Sequence, residues 1–189
     1  VTVTVAQQGE NYRILQIDPF DTARSHYGLA VDVGTTTVVA QLLDLNTGEV
    51  LDVEGCHNKQ ASFGEDVISR VIFACGKGGL DPVQQAVVKN INTLIARLVK
   101  KQGISREEID VIVAAGNTTM SHLLLGLTPC SIRLDPYVPT TDEFPQIRAS
   151  EIGIRINPRG LLEVMPCVAS YVGGDIVAGK SRGIKTTTH

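Results

Sequence analysis

Apolar and polar residues alternate from Val1 to Ala6 and again from Tyr12 to Ile17, the period-two pattern of strands that pair with each other or extend a sheet. Asp18-Pro19-Phe20-Asp21 breaks the pattern, and the polar stretch to His26 reads as a linker. A boundary near residue 25 follows, with residues 1–25 the tail of an upstream element and 26–189 the main unit. A chain that opens in mid-strand without methionine reads as an excised fragment. Gly28–Val33, Thr37–Leu45 and Glu49–His57 form three successive strands. Asn46-Thr47-Gly48 is the hairpin turn between the last two, because Asn and Gly accept the positive φ it demands.

The period then lengthens. Val67, Ile68, Val71, Ile72 and Cys75 follow helical spacing, stopped by Gly76 to Gly79. A longer helix is predicted from Asp81, with Pro82 at its first position and Gln84 at N3. Its apolar stripe is Val83, Val87, Val88, Ile91, Leu94, Ile95, Leu98 and Val99, and Gly103 ends it. Ser105 and Glu108 form a capping box ahead of a buried strand from Asp110 to Ala115. Asn117 caps a helix through Leu125, stopped by Gly126. Thr128–Pro158 holds most of the prolines and reads as a long irregular connection, Leu161–Val168 as strand, and Gly173-Gly174-Asp175 as the opening of a last helix-like segment. The order predicts an α/β ribonuclease-H-like half-domain: a three-strand antiparallel meander extended by parallel strands, with helices on both faces.

Composition narrows the field. At 189 residues, 43% hydrophobic and 20% charged, the chain suits one globular domain with a short extra segment. A net charge of -3 gives no reason to expect nucleic acid or an anionic membrane as partner. No apolar run approaches the roughly 20 residues a membrane span needs. The start has no basic n-region, so it does not read as a signal peptide. Cys56, Cys75, Cys130 and Cys167 share no close spacing, which argues against a metal or redox unit and for buried, reduced thiols in a cytoplasmic protein. His26, His57, His122 and His189 likewise share no metal-like spacing.

The candidate chemistry starts at Asp32-Val33-Gly34-Thr35-Thr36-Thr37. Gly34 lets the backbone bend and approach a ligand without a Cβ in the way, so that successive amides can point into one concavity and seat phosphate oxygens. Thr35, Thr36 and Thr37 add hydroxyl donors, and Asp32 can hold Mg2+ directly or through its water shell. The Gly-Lys-Ser/Thr ending of a P-loop is absent, as is the Gly-x-Gly-x-x-Gly of a dinucleotide fold. An ordinary Thr-rich hairpin is the alternative.

With its flanks, Gly28 to Thr37 resembles the first phosphate motif of the actin-like ATPase superfamily. Three further stretches resemble one branch of it: Asn58-Lys59-Gln60-Ala61-Ser62-Phe63-Gly64-Glu65-Asp66-Val67-Ile68-Ser69-Arg70, Ala115-Gly116-Asn117-Thr118-Thr119-Met120-Ser121-His122-Leu123-Leu124, and Ala169-Ser170-Tyr171-Val172-Gly173-Gly174-Asp175-Ile176. That branch is the reductive activators of corrinoid iron–sulfur and methyltransferase proteins. The resemblance covers roughly Gly28 to Gly179. It implies MgATP as cofactor, a corrinoid protein as partner, and a parent protein in which an upstream ferredoxin domain with a [2Fe–2S] cluster and a linking domain precede an actin-like domain. Residues 1–25 would end the linking domain, and 26–189 would be the first actin-like subdomain, truncated before the second phosphate strand, so that the nucleotide cleft is one-sided. A homodimer is allowed.

Other residues carry two readings each. Asn117 and Thr118, where strand meets helix, form either an anion site or a simple cap. Asp175, after Gly173 and Gly174, matches the carboxylate that orients the attacking water in the superfamily, or again a cap. Asp66 and Arg70, four apart on a helix, read as a surface ion pair, with contact to substrate or partner as the alternative, and Met120 and Tyr171 as core. ATP-driven return of a Co(II) corrinoid to Co(I) by the parent protein is the leading expectation. A small-molecule kinase half-domain with Asp175 as base, and a non-catalytic docking module, are the alternatives.

Overall fold

The computed structural model describes residues 1–8 and 10–167. Strands β1 (Thr2–Gln8) and β2 (Asn11–Asp18) form a separate antiparallel hairpin. The main sheet contains β3 (Tyr27–Val33), β4 (Thr37–Asp44), β5 (Val50–His57), β6 (Ile109–Gly116), β7 (Ile147–Arg148) and β8 (Leu161–Val164), in the order β5-β4-β3-β6-β8-β7. The meander β3–β4–β5 is antiparallel, while β3–β6 and β6–β8 are parallel. The hairpin turn sits where expected: Gly48 has φ 76° and the Asp44 carboxylate accepts from Asn46 N–H at 2.7 Å.

Helices α1 (Val67–Ala74), α2 (Leu80–Gln102) and α3 (Thr118–Leu125) share one core with Leu29, Val31, Val33, Val38, Ala40, Leu42, Ile112, Ala114 and Leu162. These sheet residues alternate along their strands, so the described helices lie on one face. The helix-like segment expected from Gly173 lies outside the described residues. The stripe expected on α2 is buried from Val83 to Leu98, with Val99 partly so. Each such side chain contributes roughly 2 kcal/mol.

Four expectations need correction. The long helix begins at Leu80, capped by Gly79, and not at Asp81. The chain turns so tightly off α1 that a Cβ on Gly79 would stand 2.0 Å from the Phe73 carbonyl oxygen. Gln84, expected at N3 of a capping box, instead donates to the Leu124 carbonyl at 3.1 Å and ties α2 to α3. The cysteines are not all reduced: Cys75 at the end of α1 and Cys130 are joined in a disulfide, Cα atoms 5.7 Å apart, leaving Cys56 and Cys167 free. Packing of α1 against the 3₁₀ turn Cys130–Arg133 brings these thiols together across 55 residues, which local spacing does not reveal. The irregular connection also contains an edge strand: β7 pairs antiparallel with β8.

Candidate functional site

The threonine turn closes between two antiparallel strands. Gly34 N–H donates to the Thr37 carbonyl at 3.0 Å. A Cβ on Gly34 would stand 2.6 Å from that same oxygen, so the close approach, and not a positive φ, requires glycine here. Asp32 is exposed at the end of β3 on the face away from the helices, Thr35 is half-buried, and Thr36 and Thr37 are exposed.

Buried amides brace this turn from behind. Asn58, fully buried just after β5, donates to the Gly34 carbonyl at 2.8 Å through Nδ2, and its own N–H donates to the Thr36 carbonyl at 2.8 Å. Its Oδ1 accepts from Gln60 N–H at 3.0 Å, and Gln60 Nε2 donates to the Val83 carbonyl of α2 at 3.1 Å. Asn90, in the buried face of α2, accepts from Lys59 N–H at 2.9 Å and donates to the His57 carbonyl at 2.8 Å. Buried polar groups are tolerated when each finds a partner. These three fix the turn to the longest helix. Sequence reasoning gave them no chemical role; the only signal for Asn58 and Gln60 was their place in the Asn58–Arg70 stretch, and Asn90 had none.

The second half of the site comes from β6. Val33 and Gly116 are register partners, so the two parallel strands end side by side. A Cβ on Gly116 would stand 2.9 Å from the Val33 carbonyl oxygen. Asn117 Oδ1 accepts from Met120 N–H at 2.9 Å, the expected cap, while its Nδ2 lies 3.4 Å from Thr35 Oγ1. Cap and cleft-facing roles therefore coincide in one side chain. Thr118 is fully buried in the first turn of α3. Asp32, Gly34, Thr35, Asn117 and Thr118 thus gather at the carboxyl ends of β3 and β6, the end at which open α/β sheets bind ligands. Asp175, Gly173 and Gly174 lie outside the described residues.

The surface ion pair expected for Asp66 and Arg70 does not form. Asp66 caps α1, accepting from Ser69 N–H at 2.8 Å, and the hydrogen bonds from Ser69 hold its carboxyl below the usual carboxylate range. Arg70 points inward and is fully buried. Met120 is core, as expected. His122 is also buried, its Nδ1 2.7 Å from the Thr118 carbonyl oxygen; burial lowers its pKa, partly opposed by that hydrogen bond.

A cavity of about 230 Å³ lies at the other end of the same strands, lined among others by Thr4, Gln16, His26, Glu108, Asp110 and Asn157. His26 Nδ1 is 2.8 Å from Asp110 Oδ2, and Asn157 Nδ2 bridges Asp110 Oδ1 at 2.8 Å and Gln16 Oε1 at 3.0 Å. This chain of polar groups joins the β1–β2 hairpin to the sheet, at the opposite end from the threonine turn. Among the described residues no group of His, Cys, Asp or Glu is arranged to hold a metal ion by itself, and no helix is long and apolar enough to cross a membrane.

A meander and two parallel strands, with glycines at the carboxyl ends of the central pair and helices on one face, define a ribonuclease-H-like half-domain. The chain belongs to the RACo middle region family, whose model matches residues 27–182. It is 36% identical over 154 residues to the corrinoid activation enzyme RamQ of Eubacterium limosum, a match covering 80% of this chain and 26% of that protein. Its fold superposes on a solved reductive activator for corrinoid, iron–sulfur protein with a TM-score of 0.90 at 46% identity, covering 94% of this chain and 28% of that one. The chain therefore spans about a quarter of the length of these relatives.

Proposed function

We propose that this chain carries the first phosphate-binding turn of an ATP-dependent reductive activator, which returns an inactive Co(II) corrinoid protein to Co(I). The observation that carries this reading is the register pairing of Val33 with Gly116, which sets the Gly34 turn beside the start of α3. A corrinoid protein as partner is read from the names of the relatives, a corrinoid activation enzyme and a reductive activator for corrinoid, iron–sulfur protein.

The residues fit MgATP on their own chemistry. Both strand ends carry glycines whose Cβ atoms would collide with backbone oxygens, so main chain approaches main chain closely where the two strands end. The amides and hydroxyls of Gly34 to Thr37 would take phosphate oxygens from one side, and Asn117 and Thr118 from the other. Asp32, exposed at the strand end, would hold Mg2+ through its water shell; one carboxylate suits an ion that keeps most of its waters. Asp175, after Gly173 and Gly174, would orient the attacking water. ATP, when bound, supplies the free energy that a ferredoxin-like donor lacks for a very low-potential cobalt couple, provided hydrolysis biases two states of the complex. The [2Fe–2S] cluster would belong to the parent protein, outside this chain. Residues 1–25 are read as the end of the linking domain and 26–189 as the first actin-like subdomain.

Two measurements test this. In the full-length protein, Asp32→Asn should abolish ATP hydrolysis and corrinoid reduction while leaving the fold intact; wild-type turnover removes Asp32 from the site. For this chain alone, calorimetry should find MgATP binding no tighter than about 1 mM, near 4 kcal/mol. Micromolar affinity would contradict a one-sided cleft.

A further inference from the structure

Arg70 is among the largest fully buried side chains of the protein, and among the described residues no carboxylate lies within ion-pair distance of it. Its Nε donates to the Gly64 carbonyl at 2.7 Å and its Nη2 reaches the Glu65 carbonyl at 3.4 Å. Its Nη1 faces the Met120 thioether at 3.7 Å. A Cβ on Gly64 would stand 2.6 Å from the backbone N of Arg70, so glycine is what lets that loop pack against the first turn of α1 and offer its carbonyl to Arg70 Nε. Burial works against the charge, with Asp66 partly offsetting it, but a guanidinium stays protonated in proteins. An apolar side chain of similar volume would pack at lower cost than a cation without a counter-ion. Packing alone therefore does not account for a charge here.

The contacts run toward the threonine turn. Arg70 Nη1 meets Met120; Met120 N–H is held by Asn117 Oδ1 at 2.9 Å; Asn117 Nδ2 lies 3.4 Å from Thr35 Oγ1. Met120 Cβ also lies 3.3 Å from where a Gly116 Cβ would stand. We propose that Arg70 is a positioning residue: a fixed positive charge behind the first turn of α3 that favours polyanions at the Gly34–Thr37 turn, more strongly the greater the ligand's charge, without touching the ligand. This rests on the reading of that turn as a phosphate site.

The test is an NMR titration of the whole chain with inorganic phosphate, pyrophosphate and tripolyphosphate in Mg2+, read at the amides of Gly34, Thr35 and Met120. Arg70→Met should fold, and should weaken tripolyphosphate by about tenfold and phosphate by about threefold or less, the scaling of a screened Coulomb interaction with ligand charge. Arg70→Gln, which keeps a donor for the Gly64 carbonyl, should give the same ordering. Arg70→Lys should restore most of the tripolyphosphate affinity. Equal weakening of all three anions, no weakening, or loss of the fold in both neutral variants would make Arg70 structural and overturn the proposal. If the wild type responds to none of the anions, the phosphate reading itself fails, a result distinct from unequal or equal effects of the variants.

Discussion

The two ends of β3 and β6 are built differently. At their carboxyl ends the turn is held from behind by Asn58, Gln60 and Asn90, all buried and all hydrogen-bonded, while Gly34 and Gly116 let main chain pack closely against main chain. At their amino ends His26, Asp110, Asn157 and Gln16 form a hydrogen-bonded chain along a polar cavity of about 230 Å³. Polar groups beside such a cavity can exchange lost partners for water at small cost; groups in a dry brace cannot. Preorganisation therefore belongs to the carboxyl end, where the proposed ligand binds. The amino end ties the hairpin to the sheet through this polar chain.

Asn58 is where this contrast should break most visibly. Asn58→Ala removes the bonds to the Gly34 carbonyl, Gln60 N–H and Gln60 Oε1 and leaves buried groups unpaired, a loss of about 3 kcal/mol in urea unfolding. Asn157→Ala also removes three side-chain bonds, to Asp110, Gln16 and Arg159 N–H, yet should cost only about 1 kcal/mol because water can enter from the cavity. If Asn157→Ala proves the costlier, the rigid and wet ends have been assigned the wrong way round.

Gly34→Ala sharpens the same point. Its Cβ meets the Thr37 carbonyl oxygen at 2.6 Å, so the turn must open, at about 2 kcal/mol. Gly48→Ala, at φ 76° with nothing within 4 Å of the new carbon, should cost only about 1 kcal/mol. Only the first should also weaken anion binding at the turn. Parallel losses of binding in both would mean that stability, and not turn shape, governs the site.

What the sequence disclosed follows the same division. Elements set by short periods were legible: the meander, the α2 stripe, the Gly48 turn, the Asn117 cap and the Gly126 stop all rest on residues a few positions apart. The threonine turn was legible because glycine and hydroxyl residues advertise it locally. Its brace was not, since Asn58 reaches Gly34 across 24 residues and Gln60 reaches Val83 across 23. Arg70 was misread for a related reason. An i,i+4 acid–base pair on an amphipathic helix usually marks solvent, and only the fold of α1 against α3 shows the guanidinium turned inward. The Cys75–Cys130 bridge and the β7 edge likewise depend on how a proline-rich connection settles, which no periodicity encodes.

The smallest expected effect is a pH slope located at the carboxyl end. The Thr118 carbonyl can only accept, so His122 Nδ1 carries the hydrogen, and Nε2 is buried without a partner. Burial lowers the folded-state pKa below the ordinary 6.5, so the unfolded chain takes up this proton first. Stability is therefore fully present above about pH 6.5 and falls as pH drops below it, until the folded pKa is passed. Asp52, Asp66 and Glu107, whose pKa values are also lowered, lose their contributions only in the more acidic carboxylate range. Between pH 7.5 and 5.5, wild-type stability should fall relative to His122→Gln by roughly 1 kcal/mol or less. Other titrating groups cancel in that difference. A difference that stays flat with pH would mean that the His122 ring is solvated, and that the first turn of α3 is looser than the brace behind the threonine turn.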